Sequence, residues 1–257
     1  MKKIISILSL AAFCLCFTAC RIIHKNDIGP SITKNFQTKP FQKIVVKGPH
    51  TVRFTQSDTF SIKVTAPEET MNYLLIESDG QTLHISNNRK DSDNGVIRIF
   101  NYVDDSSIIE IQAPSLSAIS MFGSGEFITT DSLNAETFEV TVSGSGEINL
   151  QKVSSKKADI TVTGSGDVTM GELTTETANI TVTGSGDIAL KGKNINKTKM
   201  DVTGSGDISI TFDNCNEATA GVTGSGDITL KGTLRNLKKS ISGSGEVSTD
   251  GLTIIKQ

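Results

Sequence analysis

Seven carboxylate side chains recur at a regular interval in this sequence, and they are the residues best placed to do chemistry. Each follows a Gly-Ser-Gly triplet, so the carboxylates would form one row if successive repeats stacked: Glu126, Glu147, Asp167, Asp187, Asp207, Asp227 and Glu246. Like charges in such a row repel, and a hard cation such as calcium could bridge them through oxygen ligands. The candidate ligands for such a cation are Asp167, Asp187, Asp207 and Asp227.

A structural role for these carboxylates is the interpretation that we favour. Each would face water or accept hydrogen bonds from backbone N–H groups of the glycine-rich turn. The repeat lacks the nine-residue Gly-Gly-x-Gly-x-Asp pattern of calcium-binding β-rolls. We therefore predict neither a metal site nor a cofactor.

The other reactive side chains do not form a catalytic pattern. His24, His50 and His84 all lie outside the repeat, and no Ser-His-Asp or Cys-His grouping or metal-spaced histidine cluster is evident. Some β-helix enzymes cleave acidic polysaccharides with residues on loops that interrupt the coils, but this repeat has almost no such interruptions. We predict that the protein is not an enzyme, and that Cys215 is a small buried hydrophobic residue.

The first twenty residues are typical of a secretory signal. Lys2 and Lys3 precede an apolar run that is too short for a retained membrane-spanning helix, the alternative interpretation. The residues Phe17-Thr18-Ala19-Cys20 resemble the bacterial lipobox, although Phe17 stands where leucine is usual. The resemblance implies cleavage before Cys20 and lipidation of that cysteine, for example with palmitate, which would anchor the chain to a membrane without spanning it.

A repeat of about twenty residues decides the predicted fold. The first glycines of the seven Gly-Ser-Gly triplets are spaced by 21, 20, 20, 20, 20 and 19 residues, which indicates a solenoid. Apolar residues two before and four after each first glycine, such as Val182 and Ile188, alternate with polar ones as in strands with one buried face. Leucine-rich repeats share this period, but they require recurrent Leu and Asn at positions where this repeat lacks them, so that fold is excluded.

The predicted fold is therefore all-β, a right-handed parallel β-helix. Each coil would contain a strand ending at Val-Thr, a Gly-Ser-Gly corner, a second strand, and a less regular third side running through residues such as Leu173 to Thr177. Glycine suits the corner because it adopts positive φ and leaves room for stacked backbones. Four ranges follow: a signal peptide at 1–19, lipidated Cys20 and a tether at 20–39, an N-terminal β-rich capping region at 40–115, and the repeat at 116–257.

These motifs resemble those of a known family. The tandem Gly-Ser-Gly-Asp/Glu corners, flanked by Val-Thr and Ile-x-Leu behind a lipoprotein signal, are similar to those of the putative auto-transporter adhesin, head GIN domain family. The segments that begin at Phe41, Gln81 and Ile109 are similar to its N-terminal strands and to the lead into its first corner. The resemblance spans roughly residues 40 to 255 and implies a β-helix in the cell envelope of Bacteroidetes-type bacteria, with adhesion as the implied activity.

The expected function is that of an envelope lipoprotein, anchored in the outer membrane on an unassigned face, that binds a glycan or protein ligand. The alternatives are a structural or regulatory envelope component without a ligand and, less favoured, a polysaccharide-active enzyme. Nucleic acid is excluded as a partner because the basic residues are not clustered.

A row of outward threonines is the remaining surface pattern of the repeat. It includes Thr161, Thr163, Thr181 and Thr183. Flat threonine arrays occur in ice-binding β-helices, but one of the two columns breaks at Asp201 and Gly221. An ordinary solvated β face, in which threonine is a favoured residue, is the interpretation that we prefer.

The residues after the last corner give little sign of a cap at the C-terminal end. Unpaired backbone groups there would favour end-to-end association into homo-oligomers. No individual ligand-binding residue is predicted from the sequence.

Overall fold

The computed structural model describes residues 30–87 and 107–255. Within these ranges one short helix, α1 (Glu68–Tyr73), accompanies twenty strands. The strands before the first Gly-Ser-Gly corner are β1 (Ser31–Phe36), β2 (Lys43–Lys47), β3 (Thr51–Gln56), β4 (Ser61–Pro67), β5 (Leu74–Ser78), β6 (Thr82–Asn87), β7 (Ile108–Ala113) and β8 (Ala118–Gly123).

Two strands per coil then follow in a regular series. They are β9 (Glu126–Asn134), β10 (Thr137–Gly144), β11 (Glu147–Ser154), β12 (Lys157–Gly164), β13 (Asp167–Thr174), β14 (Thr177–Gly184), β15 (Ile188–Lys193), β16 (Lys197–Gly204), β17 (Ile208–Gly224), β18 (Ile228–Gly243), β19 (Val247–Ser248) and β20 (Leu252–Ile254).

The strands stack in two parallel ladders. Face A contains β6, β2 and the strands that end at the first glycine of a Gly-Ser-Gly corner, in the order β6, β2, β8, β10, β12, β14, β16 and the second halves of β17 and β18. Face B contains β7, β3 and the strands that follow these corners, in the order β7, β3, β9, β11, β13, β15, the first halves of β17 and β18, and finally β19 and β20. The predicted parallel solenoid with coils of about twenty residues is confirmed.

The core is a set of apolar columns that run along the solenoid axis. Val162 pairs with Val182, and Val182 pairs with Val202, so identical side chains stack one coil apart. All three are buried. Burial of such side chains stabilises the fold by roughly 25 cal/mol per Å² of apolar surface, and each coil completes the burial of its neighbour.

The two irregular spacings in the sequence correspond to bulges on face B. The 21-residue coil places both Thr130 and Asp131 opposite Gln151, because the pairing shifts beyond Leu150. The 19-residue coil places Thr233 opposite two residues of β17. One extra residue on one strand is thus absorbed locally, without reversing the inward and outward faces of the strands that follow.

The third side of the coil differs from the prediction. Leu173 and Thr174 continue β13 after two successive outward residues, Gly171 and Glu172, and only a short turn precedes β14. The second strand is therefore longer, and the connection that we call the second corner is shorter, than the repeat suggested.

The parallel ladders begin well before residue 116. Strands β2 and β3 form a coil of their own around Gly48, which lies under Gly123 of the first Gly-Ser-Gly corner. This coil is inserted between the β6–β7 coil and the β8–β9 coil, so spatial order departs from chain order. Antiparallel strands close this end: β5 pairs with β6, and β4 joins β7 to β1.

Candidate functional surfaces

The Gly-Ser-Gly corners bring the repeated carboxylates onto one edge of the solenoid. Four carboxylates accept a hydrogen bond from the backbone N–H of the equivalent residue in the next coil. The donor and acceptor pairs are Asp187 N to Asp167 Oδ1 (2.9 Å), Asp207 N to Asp187 Oδ1 (2.8 Å), Asp227 N to Asp207 Oδ1 (2.8 Å) and Glu246 N to Asp227 Oδ1 (2.7 Å). The sequence analysis favoured donors in the glycine-rich turn; in the structure the donor is the backbone N–H of the next coil.

The four candidate calcium ligands, Asp167, Asp187, Asp207 and Asp227, therefore each already use one oxygen to join two coils. In the residues that the structure describes, no three His, Cys, Asp or Glu side chains converge as a metal site would require. Glu147, earlier in the row, accepts a bond from Asn149 Nδ2 instead (2.8 Å). The four aspartates thus join successive coils, and the row leaves an acidic edge exposed to solvent.

Face A presents an array of hydroxyl groups in register. Thr163, Thr183, Thr203 and Thr223 are exposed and stand in register, one per coil. A neighbouring column continues through half-buried Thr161 and Thr181 and then changes to Asp201 and Gly221, as the sequence indicated. Stacked strands repeat at roughly 4.8 Å, so this face offers the same polar group many times at a fixed spacing.

The second corners contain two ladders of asparagine that the sequence analysis missed. Asn214 donates through Nδ2 to Asn194 Oδ1, and Asn216 donates to Asn196 Oδ1, each at 2.8 Å. Asn194 and Asn214 both adopt φ of 54°, a conformation that asparagine tolerates better than most residues. The signal was present as Asn-x-Asn at a spacing of 20 residues.

The charged residues in and beside the second corners alternate in sign from coil to coil. In order along the axis, the rows of charged residues are Asp131, Glu136 and Glu139 (acidic); Lys152, Lys156, Lys157 and Asp159 (basic); Glu172 and Glu176 (acidic); Lys191, Lys193, Lys197, Lys199 and Asp201 (basic); Asp213 and Glu217 (acidic); and Lys231, Arg235, Lys238 and Lys239 (basic). Ion pairs join neighbouring coils, namely Lys156–Glu136 (2.8 Å), Lys152–Glu172 (3.0 Å), Lys193–Glu172 (3.5 Å) and Lys238–Glu217 (3.2 Å). The Lys156 ammonium holds the pKa of the Glu136 carboxyl below its usual value.

Comparison with known proteins identifies the family. The model of the family described as "Putative auto-transporter adhesin, head GIN domain" matches residues 40–214, which include the β2–β3 coil and five Gly-Ser-Gly corners. The chain belongs to the head GIN domain family. No protein among the curated sequences matches it.

Solved structures support the same fold for this head GIN domain. A Bacteroides fragilis protein described as a putative adhesin is 25% identical, with a TM-score of 0.72 over 85% of this chain and 96% of that one. A Parabacteroides distasonis protein described as a putative lipid binding protein is 23% identical, with a TM-score of 0.69 over 86% and 98%. A Parabacteroides merdae protein described as a putative adhesin is 23% identical, with a TM-score of 0.65 over 86% and 97%. The family and these neighbours are described as adhesins or a lipid binder, not as enzymes.

The two described histidines of this head GIN domain, His50 and His84, have different surroundings. His24 lies outside the described residues, and exposed His84 lies 3.9 Å from the carboxylate of Asp79. His50 is fully buried at the corner of the β2–β3 coil, where its Nδ1 is hydrogen-bonded to the Ser107 hydroxyl (2.9 Å). Sequence reasoning missed this pair because 57 residues separate its members.

The Ser107–His50 pair is buried. Ser107 is only 3% exposed and His50 is 0% exposed, so neither side chain can meet a substrate in this conformation. His50 Nε2 has no hydrogen-bond partner, and burial lowers the pKa of His50 to about 4. The ring is therefore neutral in the folded protein at neutral pH.

Acid should destabilise the domain through His50. Its pKa is about 4 when folded and about 6.5 when unfolded, so the unfolded chain takes up a proton first. The stability that neutral His50 provides is complete above the unfolded pKa and is lost as pH falls through the folded value, a change of up to ~3 kcal/mol. Urea denaturation curves recorded from neutral pH to mild acid should show this loss of stability. The His50→Gln variant should lose less stability over the same pH range. An equal loss in the variant and in the wild type would contradict the assignment of this effect to His50.

A shallow depression of about 290 Å³ lies beside the bulge in β9, lined by Thr129, Thr130, Asn149, Leu150, Gln151 and Thr169.

Cys215 is buried, and its Sγ accepts a hydrogen bond from Ile195 N (3.3 Å), as expected for a structural thiol. Burial raises the pKa of this thiol, which keeps it protonated.

The membrane-anchoring prediction falls outside the described residues. Cys20 and the signal segment 1–19 precede residue 30, where the described chain begins. No helix within the described ranges is long and apolar enough to cross a membrane.

Proposed function

We propose that this protein is an envelope lipoprotein, anchored through Cys20, that binds an extended glycan or protein ligand along face A. The observation that carries this proposal is the in-register column of exposed threonines, Thr163, Thr183, Thr203 and Thr223, on an unbroken parallel ladder. A repeating ligand could make the same weak hydroxyl contact on each coil, and linked weak contacts add to a useful affinity. The adhesin descriptions of the family and of two structural neighbours support this class of function.

Glycan-array binding by the purified protein tests the ligand. The informative variant is Thr183→Lys, which puts a long cationic side chain in the middle of the column and should weaken binding at least tenfold. Ser209→Lys is the matched control, because Ser209 is exposed on face B, one coil away, and outside the depression beside β9. Equal loss in both variants would place the ligand elsewhere. Absence of any ligand, together with damaged envelope integrity on deletion, would favour the structural alternative.

The anchor and the membrane face need a separate experiment. Metabolic labelling with a palmitate analogue should mark the wild-type protein and fail on Cys20→Ser, which lacks the thiol that would carry the lipid. Protease added to intact cells should digest a protein displayed on the outer surface of the outer membrane. A wild-type protein that is neither labelled nor membrane-bound would overturn the anchoring proposal.

A further inference from the structure

The C-terminal end of face A is an open strand edge. Residues 236–243 of β18 pair with β17 on one side, and the described residues provide no strand on the other. Ile241 occupies an inward position opposite Val222 but is 48% exposed, since no further coil covers it. Lys239 also stands at an inward position, and its Nζ donates to Val247 O (2.9 Å) across the end of the core.

Two residues of the last basic row, Lys238 and Lys239, lie on this open edge. That row consists of Lys231, Arg235, Lys238 and Lys239. Lys238 forms an ion pair with Glu217 of the preceding acidic row, with 3.2 Å between Nζ and Oε1. Every internal basic row lies between two acidic rows, whereas in the part of the chain that the structure describes this row has an acidic row on one side alone. Continuation of the pattern requires an acidic strand beyond it.

The N-terminal end of face A offers such a strand. Face A ends there with β5, which is antiparallel to β6 and pairs with β6 alone among the described strands. Glu77 is exposed on β5, and the neighbouring helix α1 exposes Glu68 and Glu69. Residues 64–87 contain no Lys or Arg, so this end is acidic.

We propose that the C-terminal edge of one copy binds the N-terminal β5 edge of a second copy, head to tail. Antiparallel pairing of β5 with residues 236–243 would satisfy backbone groups of both edges, the mode by which exposed strand edges recruit a partner strand. The acidic and basic ends attract each other, while Lys238 and Lys239 repel a second basic edge. Because the two surfaces differ, the contact does not close on itself and generates open chains that lengthen face A.

The test uses the full chain in mild detergent and measures mass by sedimentation velocity over a wide range of concentration. Wild type should associate in low salt and dissociate in high salt, because exposed charges are screened. Lys238→Glu and Glu77→Lys should each weaken association about tenfold or more. Lys191→Glu, an exposed reversal on an internal coil, should leave association unchanged.

Mixing the two end variants gives the decisive result. Each variant alone can form only a contact between like charges, Glu with Glu or Lys with Lys. The mixture can form the native contact between Glu77 of one variant and Lys238 of the other, and also the contact with the charges exchanged. The mixture should therefore associate more tightly than either variant alone. Circular dichroism of each variant verifies that it is folded. A wild type that stays monomeric at every concentration, association that survives both reversals, or a mixture that stays monomeric would each overturn the head-to-tail contact.

Discussion

Replacement of Gly184 by valine is expected to cost the domain on the order of 4 kcal/mol of folding free energy, because two separate penalties combine. Gly184 has φ of +123°, which a β-branched residue adopts only with strain. A Cβ at this position would also collide with the carbonyl oxygen of Gly164 in the preceding coil. That oxygen accepts bonds from Ser185 N (2.8 Å) and Gly186 N (3.0 Å), so relief of the collision would break the contact between corners.

Two control substitutions separate the backbone effect from other causes. Thr183→Val introduces valine at the residue before Gly184, at an exposed strand position, and should change the melting temperature little. Asp187→Asn keeps the oxygen that accepts the Asp207 N–H and should also cost little. Chemical denaturation of the three variants provides the comparison, and similar free energies of unfolding for Gly184→Val and Thr183→Val would refute the steric argument.

The regular part of the fold was predictable because sequence period and spatial period coincide there. Val162, Val182 and Val202 are 20 residues apart in the chain and adjacent in space, so a column visible in the sequence is a column in the core. The hydrogen bonds of the corner carboxylates follow from the same stacking. Even the irregular spacings had a local meaning, since the extra residue of the 21-residue coil lies at the Thr130–Asp131 bulge.

The N-terminal arrangement was not predictable in this way. The corner of the β2–β3 coil reads Lys47-Gly48-Pro49-His50 and shares only Gly48 with the repeat, so it gives no periodic signal. Insertion of this coil between the β6–β7 and β8–β9 coils depends on pairing between strands distant in the chain. Strand alternation identified these segments as β but could not order them. The Ser107–His50 pair depends on that order and was missed for the same reason.

The alternation of charge along the second corners became visible only once each charged residue was assigned to a coil. In the sequence, the lysines at 152–157 and 191–199 are two scattered groups; in the structure, they are rows separated by one acidic row. A period of two coils is twice the backbone repeat, so a search for the shorter period does not find it. The rows also give a reason for coils to stack in one order, because exchange of neighbours would bring like charges together.

Deletion of complete coils should reveal this two-coil period. Removal of residues 165–184 joins Gly164 to Ser185 and preserves every inward column, since Gly164 and Gly184 are equivalent in register. It also deletes the acidic row of Glu172 and Glu176 and places the row of Lys152, Lys156 and Lys157 beside the row of Lys191, Lys193, Lys197 and Lys199. Removal of residues 165–204 deletes one acidic and one basic row, so the remaining rows still alternate.

Both shortened proteins should fold, because each coil contacts only its neighbours. The one-coil deletion should nevertheless melt several degrees below the two-coil deletion in low salt, although it retains one coil more. High salt should raise the melting temperature of the one-coil deletion most, since screening relieves repulsion between the adjoining lysine rows. Thermal melts at two ionic strengths provide the measurement. If the melting temperature simply follows the number of coils at both ionic strengths, the alternating charges do not contribute to the stacking order.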